Sequence, residues 1–109
     1  MKKTYNKLVR DLIPDIIEQS GGACRTEILT DEEYLRMLDA KLDEELAEYH
    51  NDQNIEELAD LLELIRAAAI ARGYTLEELE TVRAEKAEKR GAFEKKIFLI
   101  DVTTPDKSK

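Results

Sequence analysis

Four acidic residues stand out by type and spacing. Glu45 and Glu48, then Glu57 and Asp60, form two pairs with members three apart inside "LDEELAEYHNDQNIEELADLLELIR", residues 42–66. At about 100° per residue on a helix, Glu57 falls between Leu61 and Leu64 with Ala68 on the same side, and Asp60 falls between Leu64 and Ala67. Glu56 and Glu63 fall together on a different side, where a solvated face is expected. Glu45 sits beside Leu38 at the margin of a leucine stripe, with Glu48 one turn along. Carboxylates gathered beside a core lose hydration and repel one another, so they stay ionised only around positive charge. Lys41 and Arg66 are the local cations, about a turn or more away along their helices. Mg²⁺ and Mn²⁺, which prefer oxygen ligands, do the same task well. A di-iron bundle site would need Glu-x-x-His pairs. The single histidine, His50, follows Glu48 by two residues at the helix end and is read as solvated. The same acids also have ordinary uses. Glu57 can be the capping partner of Asn54, first-turn acids favour the helix dipole, and Glu45 and Glu48 can form the rim of a charged helix. Spacing alone leaves both readings open.

The elements that must position these acids are helices. Thr30 with Glu33 has capping-box spacing and opens a helix to about Asn51, with an apolar stripe of Leu35, Leu38, Leu42, Leu46 and Tyr49. "NDQN" breaks it. Asn54 with Glu57 offers a second capping box, opening a helix to about Arg72 that Gly73 stops. The short break makes these two helices antiparallel neighbours, so both acid pairs lie near one end and converge. Thr75 with Glu78 opens a further helix to about Lys89. Near the start, Asp11 is placed as a cap and Pro14 in the first turn of a short helix ended by Gly21 and Gly22. The expected class is all-α, a helical bundle. The segments "YNKLV" and "KIFLIDV" have strand character and are expected to pair as short terminal strands, before a frayed polar tail over residues 103–109.

At 109 residues the chain is expected to form one domain. Charged residues make up 39% and apolar residues 42%, with only 4 glycines and 2 prolines, which excludes a disordered composition. A net charge of −8 argues against nucleic acid as a partner, and a phosphorylated substrate would need metal ions or a local basic patch. No apolar run approaches the roughly 20 residues of a membrane span, and there is no signal-peptide pattern. The single cysteine, Cys24, forms no internal disulfide, so a reducing cytoplasm is expected.

"EELAEYHNDQNIEELADLLELI" resembles the signature of the all-α NTP pyrophosphatase superfamily, MazG-like and phosphoribosyl-ATP pyrophosphohydrolase-like. That signature is E-E-x-x-E on one helix and E-x-x-D on the next, matched by Glu44, Glu45 and Glu48, then Glu57 and Asp60. "YNKLVRDLIPDIIEQSG", "KLDEELAE" and "KRGAFEKKIFLI" are similar to a branch of house-cleaning nucleotide pyrophosphohydrolases, so the likeness spans nearly the whole chain. Two features depart from it. Leu12 stands where that branch has lysine, and the link between the acid pairs is shorter than in much of the superfamily, which bears on substrate size.

The resemblance implies Mg²⁺-dependent hydrolysis of a nucleoside triphosphate between its α and β phosphates, giving a monophosphate and pyrophosphate. Glu45, Glu48, Glu57 and Asp60 are then the metal-binding set, with Mn²⁺ as an alternative ion. Glu44 acts through metal-bound water, serves as base for the attacking water, or is a surface acid. Lys7 and Arg10 in the matched N-terminal motif, and Lys86 and Arg90 four apart on one helix face, suit triphosphate oxygens. Their ordinary uses are surface ion pairs or, for Lys86 and Arg90, a helix C-terminus. Tyr5 and Phe93 are read as core residues, with flanking a base as the other use. The helix after "NDQN" is apolar over most of its circumference, which calls for cover on nearly every side. A second copy is the natural cover, and the resemblance points the same way, to a homodimer or a tetramer of two dimers. The reading from a different class is a non-catalytic acidic helical module, an adaptor or inhibitor.

Overall fold

A computed structural model describes residues 1–105 of the chain. The chain is all-α. Four helices run in order, α1 (Ile13–Gln19), α2 (Asp31–Asp52), α3 (Ile55–Ala71) and α4 (Leu76–Arg90). It divides into two compact units, Met1–Leu76 and Glu77–Lys109. The tail expected over residues 103–109 falls partly on residues 106–109, which lie outside the described residues. Among the described residues no helix is long and apolar enough to cross a membrane.

In the first unit, α2 starts where its sequence chemistry places it. The Thr30 hydroxyl accepts from the Glu33 N–H at 3.2 Å, and Glu33 accepts in return from the Thr30 N–H at 3.1 Å, completing the capping box. The Thr30 N–H, and after it the Thr30 hydroxyl donating at 3.0 Å, hold the Glu33 carboxyl below its ordinary range. At the start of α3, Asn54 accepts from the Glu57 N–H at 3.0 Å, one half of the expected box. Between the two helices only Gln53 and Asn54 intervene. Gln53 takes a left-handed conformation (φ 53°), and its N–H reaches the Tyr49 carbonyl, while Asn54 is extended. One residue of each kind reverses the chain, so α3 must return alongside α2. At its other end α3 closes on Gly73 (φ 92°), whose N–H bonds to the Ile70 carbonyl while that of Tyr74 bonds to Ala69. This pair of bonds satisfies carbonyls that the helix leaves open, and only glycine adopts that φ without strain.

Two local expectations are corrected. Asp11 is not the cap of α1. Leu12 holds that position and makes no side-chain cap bond, with Pro14 in the first turn. A turn instead brings the Ile13 N–H to the Arg10 carbonyl at 3.1 Å, and proline has no N–H to satisfy, so a capping side chain has little left to do. Nor is there any strand among the described residues. Asn6 (φ 47°) interrupts the first stretch and Lys96 (φ 60°) opens the second in a left-handed conformation, and strand character without a paired edge forms no sheet.

Packing in the first unit centres on the α2–α3 hairpin. Among the described residues Leu38 is the single apolar side chain that is fully buried, at 1% exposure. Much of α3's apolar surface faces outward instead: Ile55, Leu58, Leu62, Ile65 and Ile70 are all exposed. Two substitutions probe the helix ends. Thr30→Ala is expected to cost about 1 kcal/mol of stability through loss of the cap. Gln53→Gly is expected to add about 0.5–1 kcal/mol by relieving the left-handed conformation. Each is read as a shift in urea midpoint at unchanged slope.

Candidate metal centre

The two-residue link sets the last turns of α2 against the first turns of α3, and this carries the acids together. Two groups of carboxylates result, Glu44 with Glu45 and Glu48, and Glu45 with Glu57 and Asp60; in each, one oxygen per residue lies within 4.8 Å of the others. A six-coordinate Mg²⁺ with oxygens at about 2.1 Å sets neighbouring ligands about 3.0 Å and opposite ligands about 4.2 Å apart. Oxygens up to 4.8 Å apart would have to draw in slightly to meet that span around one ion. Glu45 belongs to both and is buried, at 7% exposure. Glu44, Glu57 and Asp60 are half-buried, while Glu48 is exposed.

The electrostatics of the cluster are strained. One oxygen of Glu45, Oε2, and one of Glu57, Oε2, are shut off from solvent and have no hydrogen-bond partner. An unpartnered carboxylate oxygen out of water is costly unless a cation meets it, so the donor set fits a hard divalent ion. Burial pushes the Glu45 carboxyl up, and Glu48, close enough to share a proton with it, pushes it further. Glu57 is also raised, first by desolvation and then by the charges of Glu48, Glu45 and Asp60. Glu44 goes the other way. Burial alone would raise it, but Lys41 and Lys7 outweigh that and hold it below the ordinary range.

The cations are nearer than the sequence suggested. Lys41, expected a turn or more from the acids, reaches Glu44 at 3.3 Å and Glu45 at 3.4 Å. Its spacing of three and four residues from them on one helix is the signal that would have found it. Lys7 meets Glu44 at 3.3 Å, and Arg10 meets Asp60 at 2.6 Å. Two of the four basic residues expected near phosphate are therefore at the acids. Lys86 and Arg90 are exposed on α4, in the second unit. His50 is exposed in the last turn of α2 and joins neither carboxylate group. Tyr5 and Phe93, expected in the core, are exposed at 61% and 98%. Tyr5 instead lies beneath the ammonium groups of Lys3 and Lys7, at 5.0 and 5.7 Å from its ring centre. An open apolar cleft lies at the opposite end of the hairpin, between Tyr34, Arg66, Ala67 and Ile70. Among the described residues, Glu63 is the one carboxylate that lines it.

No family model matches the chain, and no solved structure matches it. A 42-residue stretch is 55% identical to part of a protein described as uncharacterized from Mycolicibacterium smegmatis (strain ATCC 700084 / mc(2)155). The match covers 38% of this chain and spans 43% of that relative's length.

Because Glu57 is raised, the unfolded chain gives up this proton first as pH climbs. Ionised Glu57 therefore lowers the stability of the metal-free protein, increasingly as pH rises from about 4.3 through the raised value. In EDTA, Glu57→Gln should melt higher than wild type, with the gap opening between pH 4 and neutrality. The Asn54 cap bonds to the residue's backbone and survives the change. Saturating Mg²⁺ should raise the wild-type melting temperature and leave that of Glu57→Gln nearly unmoved. A Glu57→Gln protein that melts lower than wild type in EDTA at pH 7 would contradict carboxylate repulsion at this site.

Proposed function

We propose that this chain is a Mg²⁺-dependent nucleoside triphosphate pyrophosphohydrolase of the MazG-like, phosphoribosyl-ATP pyrophosphohydrolase-like kind. It would hydrolyse the anhydride between the α and β phosphates of modified or non-standard nucleotides to a monophosphate and pyrophosphate. The observation that carries this reading is Glu45, a buried carboxylate shared by two acid groups, with an oxygen that is shut off from solvent and has no hydrogen-bond partner in the protein. Such an arrangement is poor packing and good cation chemistry. The acid signature on α2 and α3 supplies the reaction class.

In this reading Glu45, Glu48, Glu57 and Asp60 hold the metal. Bound Mg²⁺, or Mn²⁺, would neutralise the triphosphate and make the attacking water more acidic. Glu44 is kept ionised by Lys41 and Lys7, so it accepts a hydrogen bond from that water and orients it. Its low proton affinity makes it a better orienting group than proton store. Arg10 and Lys7, already at the acids, would supply charge to the phosphates. The exposed free thiol of Cys24 suits a reducing compartment, the cytoplasm.

The assembly we propose is a homodimer. One fully buried apolar side chain is too little core for an independent chain, whereas α3 leaves Leu58, Leu62 and Ile65 exposed on a helix that needs cover. A two-fold pairing of α3 with its copy buries this surface in a self-complementary way. A non-catalytic adaptor would use the same surface for a different protein, and solution mass separates the two readings. Sedimentation equilibrium of the pure protein should show a dimer, or a tetramer built from two dimers. Leu62→Glu should dissociate or unfold it. A stable folded monomer at micromolar concentration would sink the dimer and favour the adaptor.

Activity is tested by pyrophosphate release across a panel of standard and modified nucleotides with Mg²⁺. Glu45→Gln, Glu57→Gln and Asp60→Asn should each lower kcat/KM by about 100-fold or more, since even loss of an outer partner of a metal ligand costs 10- to 100-fold. Wild-type turnover and Mg²⁺ affinity in Glu57→Gln and Asp60→Asn would refute the metal assignment.

A further inference from the structure

The N-terminal segment before α1 reaches the acids over long sequence separations. Lys7 is 37 residues from Glu44, and Arg10 is 50 residues from Asp60, yet both make direct ion pairs. With Lys41, three cations stand against five carboxylates, those of Glu44, Glu45, Glu48, Glu57 and Asp60. At full ionisation two negative charges remain, the complement of one divalent ion. Removing Lys7 and Arg10 from the acids would leave four, the complement of two.

We propose, building on the pyrophosphohydrolase reading, that Lys7 and Arg10 are internal counter-ions that pass from carboxylate to phosphate as the site fills. In the free protein Arg10 takes up Asp60 Oδ1 and Lys7 takes up Glu44 Oε1, so both acids are paired while the unpartnered oxygens of Glu45 and Glu57 stay open. Divalent ions compete with these cations for the same carboxylates. As they displace them, Lys7 and Arg10 become free to meet the oxygens of a triphosphate. Arg10 suits this exchange, because its guanidinium binds carboxylate and phosphate with the same fork of donors. Both side chains are substantially exposed, 39% for Lys7 and 58% for Arg10, so they can leave one partner for another without unpacking the hairpin. Loading of metal and binding of phosphate are thereby coupled through residues 7–10.

The distinguishing feature is an effect of opposite sign on two ligands. Arg10→Gln should bind Mn²⁺ about two- to fivefold more tightly than wild type when no nucleotide is present, the range expected for removing one partly exposed ion pair. The same variant should bind inorganic tripolyphosphate more weakly in excess Mg²⁺. Arg10→Lys should return Mn²⁺ affinity to near the wild-type value. In the wild-type full chain, Mn²⁺ alone should speed tryptic cleavage after Lys7. Isothermal titration and gel-resolved proteolysis read these without any turnover, and circular dichroism checks that each variant is folded. Mn²⁺ affinity that is unchanged or weaker in folded Arg10→Gln would overturn the exchange, making Arg10 a partner that orients Asp60 toward the ion. That result would leave the proposed hydrolysis standing. Absence of Mn²⁺ binding in wild type would remove both.

Discussion

Carboxylate crowding at one end of a helical hairpin is the constraint around which the first unit is organised. The link between α2 and α3 is two residues long, so Glu45 cannot avoid Glu57 and Asp60 without the hairpin opening. The packing of α2 on α3 that keeps the hairpin closed therefore also keeps the carboxylates in strained proximity. Raised protonation of Glu45 and Glu57 is the chemical expression of that strain.

Charge compensation is distributed unevenly across the cluster. Lys41 serves Glu44 and Glu45 from within α2, a local arrangement that costs little order because all three ride the same helix. Arg10 and Lys7 come from a segment with no regular structure, so their ion pairs also tether that segment to the hairpin. Compensation stops short of Glu57, which has an oxygen shut off from solvent with no hydrogen-bond partner in the protein. The cluster is therefore only partly neutralised by the chain's own cations.

The apolar surface follows the same logic on a larger scale. A helix that is apolar nearly all round meets only one neighbouring helix within its unit, so its remaining sides face outward. The segment from Ile97 to Val102 is similarly apolar and exposed within the second unit. Surface of this kind is ordinary in an assembling protein and a hazard in a solitary one. The acidic balance of the chain limits non-specific association, while the exposed Leu58, Leu62 and Ile65 of α3 carry no charge of their own.

Much of the architecture was legible residue by residue. Capping chemistry at Thr30 and Asn54, and glycine at position 73, mark where α2 and α3 begin and end, because these signals act over three or four residues. Helical period alone put Glu57 and Asp60 beside leucines and Glu56 and Glu63 in water, and the short link brought both acid pairs to one end. Strand character at the termini misled, since a strand exists only through its partner and the left-handed Asn6 and Lys96 are invisible to propensity. The Asp11 cap failed for a similar reason, as the backbone turn at Arg10 satisfied the donor first. Tertiary structure alone decided which acid each N-terminal cation meets. Arg10 finds Asp60 across 50 residues, and no local rule carries that distance. It also decided that Glu45 is the buried member of the set, because depth depends on how two helices cross, and composition and period are silent on that.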